Sequence, residues 1–206
     1  MAGAPKTFSE LFDFYHNSVK IYYGVVQSEN VLPAEVLFEL NAALDHLSRF
    51  YIYKEPERDV VSKAYSHMKR ACLDIFKITL RETLDQYQEL LKVDISLIDN
   101  GDFEKKLKML ANTIKIGARE ARRLEGRPTS SASAELTVPA FDRWLPVYED
   151  CLALQQDYYL HDSIDWAKSK SRGLTWRALI GTSLVSVVLG FLFSKIWAWL
   201  LVLGAG

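Results

Sequence analysis

Two short stretches hold the side chains best suited to chemistry. "AALDHLSRF" and "AYSHMKRA" share one order of residue types: Ala43, His46, Leu47 and Arg49 in the first, Ala64, His67, Met68 and Arg70 in the second. Imidazole changes charge near neutral pH, and guanidinium grips phosphate through paired donors. The stretch "YKEPERD", with Pro56, separates the two. If the chain reverses at Pro56 as an antiparallel helical hairpin, His46 comes level with His67, Arg49 with Ala64, Ala43 with Arg70 and Glu39 with Asp74. The small residues Ala42, Ala43, Ala64 and Ala71 let the two helices approach closely. In that register Arg70 is expected to reach Asp74 one turn on and Glu39 across the hairpin.

Three uses fit such a cluster. It serves as a paired polar layer that fixes hairpin register; or His46, Arg49, His67 and Arg70, with Glu39 and Asp74, form a pocket for a small phosphorylated ligand; or the same residues work in a nucleotide-binding or ribonuclease-like helical enzyme. The layer is favoured, because buried charges are normally paired. The layout resembles the helical ribonucleases of the HEPN class in placing Arg and His on neighbouring helices. Their signature is an Arg followed about one to two helical turns later by a His, and neither Arg49, Arg58 nor Arg70 satisfies it. No family membership follows, and no catalytic residue is assigned. There is no Glu-x-x-His pair for a di-metal bundle, no Gly-rich phosphate loop, no Gly-x-Ser-x-Gly and no His-Glu-x-x-His. His16 and His161 stand alone. Neither metal nor cofactor is expected, and the balance leans away from an enzyme.

Apolar spacing identifies the elements that must carry these residues. Phe8, Leu11, Phe12, Tyr15, Val19, Tyr22 and Val26 form one helical face over 8–28, opened by Thr7 with Glu10 as a capping box. Pro33 opens a second helix to about Tyr53, on Val36, Leu40, Ala43, Leu47 and Phe50. Pro56 opens a third and long one, on Val61, Ala64, Met68, Cys72, Ile75, Leu84, Tyr87 and Leu91. "DNGD" at 99–102 is a turn, and a fourth helix follows to about Leu124. The polar stretch 126–138 reads as a mobile loop. A fifth helix spans about 140–170, with Pro146 early in it. The fold class is therefore all-α: a bundle of about five helices over 1–170. Cys72 and Cys151 lie in unrelated segments and read as buried free thiols. A net charge of −1 gives no general attraction for nucleic acid.

The remaining segment is different in kind. Residues 178–194 carry no charge, Lys195 follows, and "IWAWLLVLGAG" completes the chain. A run of about 20 predominantly apolar residues spans a bilayer, so 178–203 reads as a transmembrane helix. Trp176 stands at one end, with Trp197 and Trp199 at the other. The separation is roughly 31 Å at about 1.5 Å per residue, near the hydrocarbon thickness. Indoles favour both interfaces. The segment 171–177 supplies Arg172 and Arg177, preceded by Lys168 and Lys170, with no acid among them. This bias places the bundle in the cytoplasm, held by a single C-terminal span. Lys195 is expected to snorkel beside Trp197. Thr182, Ser186, Gly190, Ser194 and Ala198 form a small-residue stripe of the kind that lets membrane helices pack, so the expected partners are the lipid bilayer and further copies of the chain. A cytosolic protein or a small phosphorylated ligand is the expected partner of the bundle. The sharpest form of this reading is an effector whose span oligomerises and perturbs or perforates the bilayer.

Overall fold

The computed structural model describes residues 4–28, 33–125 and 137–170. They are helical throughout, with no strand among the described residues. The expected 126–138 loop falls largely outside them. So do the basic segment 171–177 and the apolar segment 178–203, with Arg172, Trp176, Arg177, Lys195, Trp197, Trp199 and the stripe from Thr182 to Ala198. Among the described residues no helix is long and apolar enough to cross a membrane.

About six helices form the bundle rather than five. Helix α1 runs over Phe8–Ser28 and is interrupted by a π-helical turn at Tyr15–Val19. Helix α2 is Ala34–Tyr53, α3 is Glu57–Leu90 and α4 is Asp102–Glu125. Helix α5 begins at Thr137, ahead of the expected start, because Pro139 and Pro146 both fit within it. It does not run on to 170. A second π-helical turn at Gln155–Tyr159 ends it, Leu160 breaks the line, and 162–170 form α6.

Local chemistry sets these boundaries. Thr7 accepts a hydrogen bond from the Glu10 amide at 3.3 Å, as the capping motif requires. The Glu10 carboxylate reaches back one residue further than expected, accepting from the Lys6 amide at 2.6 Å. A carboxylate from another helix completes the cap: the Phe8 amide donates to Glu57 Oε1 at 2.9 Å, tying the start of α1 to the start of α3. Lys54 ends α2 in the left-handed region at φ 57°. The reversal from α3 to α4 uses three residues of positive φ in a row, Asp99, Asn100 and Gly101. Asn and Asp tolerate that conformation and glycine takes it without strain.

Helix α3 is the axis of the fold. Val60, Val61, Ala64, Met68, Ala71, Cys72, Ile75, Phe76, Leu80, Tyr87 and Leu90 are buried along its length. Helices α1, α2 and α5 pack on it, and α4 packs mainly on α5. At the junction of α1, α3 and α5 the rings of Tyr22, Phe76 and Tyr148 meet at 4.7–5.2 Å between centroids. Trp144 is fully buried. Cys72 and Cys151 are buried and free, and burial pushes both thiols up to about 12, which keeps them protonated and inert.

Where α4 meets α5, a Cβ added to Gly117 would stand 2.8 Å from Val147 Cγ2. Valine is stiff about χ1 and cannot easily yield. Gly117→Ala is therefore expected to destabilise the protein, although alanine gains about 1 kcal/mol in helix propensity. The overpacking cost of about 1–3 kcal/mol outweighs that gain. Urea unfolding midpoints should show it, and the combined Gly117→Ala, Val147→Ala variant should lose less than the two single changes added together.

Candidate functional site

The hairpin expected from the two His–Arg stretches is present, in a shifted register. Helix α2 ends at Tyr53 and α3 begins at Glu57, so the reversal centres on Glu55 rather than on Pro56 and its successor. Level pairs move by about one turn. His67 Nδ1 lies 2.6 Å from Glu39 Oε2, and the His67 ring stacks on His46 at 5.1 Å between centroids with an interplanar angle of 29°. One imidazole touching both residues stands between them along the axis, near the level of buried Ala43. Ala43 leaves the space in which His67 sits. A carboxylate only accepts, so Nδ1 of His67 carries the proton and donates it to Glu39.

The arginines do not join this layer. Arg49 pairs with Asp45 on its own helix at 3.0 Å and with Glu55 at 3.9 Å. Arg70, expected on Glu39 and Asp74, forms no ion pair with a described residue, because His67 holds Glu39 and Lys77 holds Asp74 at 3.4 Å. Lys77 also spans to Glu125 of α4 at 2.9 Å. Burial raises the Asp74 carboxyl above its ordinary range, against the pull of Lys77. The site that forms is thus His46, His67 and Glu39. The Arg49, Arg70 and Asp74 side chains stay outside it.

What this trio can do is limited by its electrostatics. A phosphate cradle needs convergent guanidinium groups, and the carboxylate of Glu39 occupies the centre instead. His46 is held below the ordinary imidazole range, first by burial and then by His67, Arg49 and Lys63, with Asp45 opposing them. Its Nδ1 is buried without a partner. No described hydroxyl or thiol hydrogen-bonds either imidazole, so no nucleophile is poised beside a base. Among the described residues no group of three His, Cys, Asp or Glu side chains is placed to hold a metal ion. The geometry supports a register-setting layer.

Sequence reasoning passed over Lys69, the one buried lysine of the core region. The signal was there: Tyr65, Lys69, Cys72 and Phe76 follow helical spacing, and lysine is the exception on an otherwise apolar edge of α3. Comparison with protein-family models, curated protein sequences and solved structures finds no match to the chain.

Two outcomes follow. A double-mutant cycle on Glu39→Gln and His67→Gln should give a coupling of about 1 kcal/mol, as for a hydrogen bond to a charged group at a half-buried site. The second concerns pH. The unfolded chain takes up a proton on His46 near the ordinary value, whereas the folded chain does so only at lower pH. The unfolded state therefore binds more protons as pH falls through about 6.5, and stability declines. His46→Phe keeps a ring over His67 and removes this titration, so the loss of thermal stability between pH 7 and pH 5 should shrink.

Proposed function

We propose that this chain is a membrane-tethered helical interaction protein, its bundle displayed in the cytoplasm and its C-terminal span self-associating. The observation that carries the reading is the charge-free run 178–194, bracketed by Trp176 and by Trp197 and Trp199 and flanked on one side by basic residues only. The bundle supports it in two ways. Its core is built from α1 to α6, from Leu11 to Ala167, and does not call for a further apolar helix to close it. Its outer face is suited to a partner. On α2, Leu37, Leu44 and Tyr51 recur every two turns with Phe38 and Ile52 beside them, all exposed, Phe38 to 73%. A contiguous apolar face of this kind marks interaction surfaces. The separation of Arg49 from Arg70 favours this role over a nucleotide-binding or ribonuclease-like enzyme.

The full chain should stay with membranes through carbonate extraction, and a chain ended after Lys170 should not. In mild detergent the full chain should run as an oligomer, and Gly190→Leu should reduce its size, because a bulky side chain in the small-residue stripe holds the helices apart. Release of the full chain by carbonate counts against the anchor. An oligomer unchanged by Gly190→Leu counts against the stripe.

A further inference from the structure

A cavity of about 660 Å³ opens between α1, α3 and α5, on the other side of α3 from the histidine layer. Its volume is that of a small-molecule site. Phe14 and Tyr22 of α1, Tyr65 of α3, and Phe141 and Leu145 of α5 line it. The π-helical turn at Tyr15–Val19 supplies Asn17 and Ser18 to the rim, and such turns recur at functional sites.

Lys69 lies in the wall of this cavity and is 2% exposed. A buried ammonium normally faces a carboxylate, since an unpaired one bears the whole desolvation cost. Lys69 has neither an ion pair nor a hydrogen bond with any described residue. Its Nζ instead sits 4.8 Å from the Phe141 ring centroid and 5.2 Å from that of Tyr65. Two ring faces compensate the charge only in part. Burial lowers the Lys69 pKa, and Asp142 and Cys72 act the other way. The site thus has aromatic walls and one cation, and it lacks an anion of its own inside.

We propose that the cavity binds an aromatic monocarboxylate, its ring among Phe14, Tyr65 and Phe141 and its carboxylate on Lys69 Nζ. The charge pattern selects against other ligands. Glu10 and Asp13 line the mouth, so a doubly charged phosphate meets two carboxylates on the way to a single ammonium. A cationic ligand finds the aromatic faces already occupied by Lys69. The site is separate from the His46–His67 layer, and the inference does not depend on the membrane anchor.

The test uses two flat probes of the same shape, 2-naphthoate and uncharged 2-naphthamide, titrated calorimetrically into the full chain in neutral-lipid nanodiscs, with empty discs as the blank. The expected result is saturable one-to-one binding of naphthoate, tenfold or more tighter than naphthamide, as a charge-assisted contact gives. Lys69→Met should bring the two affinities within about twofold of each other. Equal affinities in the unaltered chain, no saturable binding, or a preference for naphthoate that survives in Lys69→Met would each overturn the proposal. The comparison of the two probes on the unaltered chain needs no variant to fold. Phe141→Leu, which removes a ring face and keeps the bulk, should weaken both probes alike.

Discussion

Helix α3 is enclosed by α1, α2 and α5, and this enclosure fixes the terms on which every polar residue along it can exist. A surface helix sheds its polar side chains to one solvated face. Over 34 residues α3 has too little such face, so its polar groups are met by neighbours. His67 is met by Glu39 of α2. Thr83, fully buried, accepts from Gln155 Nε2 at 3.0 Å, and its carbonyl accepts from the Tyr159 hydroxyl at 2.6 Å. Asp74 and Lys77 tie α3 to the end of α4. Each pairing draws another helix onto α3 at a defined height, which apolar packing alone specifies weakly.

Two groups on α3 fall short of this pattern. Thr79 Oγ1 is buried without a hydrogen-bond partner, and Lys69 has only ring faces. A threonine hydroxyl without a partner is a modest penalty, whereas an ammonium is a large one. That difference in cost is why Lys69 points to a ligand and Thr79 does not. The histidine layer, by contrast, has its own counter-group in Glu39, so its chemistry is spent on holding two helices together.

The helical bundle was legible because its signals were local. Proline at 33 and 56, the capping pair Thr7 and Glu10, and apolar residues at helical spacing each act within a turn or two. The meeting of His46 with His67 was legible for the same reason, since a short turn leaves few registers. The fate of Arg49 and Arg70 was not. A long side chain chooses among several carboxylates, and a shift of one turn put His67, rather than Arg70, against Glu39. The Lys69 cavity was less legible still, because its walls come from residues as far apart in sequence as Phe14 and Phe141, which no periodicity relates. The break at Leu160 was missed because π-helical turns leave little trace in residue types.

The π-helical turn in α1 has a consequence for how this chain could vary. Such a turn accommodates one residue more than an α-helix would, so it acts as a phase shift between Phe8–Phe14 and Lys20–Ser28. Leu11 and Phe14 on one side and Tyr22 and Val26 on the other all face inward only because of that offset. Removing one residue between Tyr15 and Val19 would regularise the helix and rotate everything after it by about 100°. Tyr22 would leave Phe76 and Tyr148, and exposed Ile21 would approach the core in its place. Length in this segment is thus held as firmly as residue type, and a deletion there would act as a rotation.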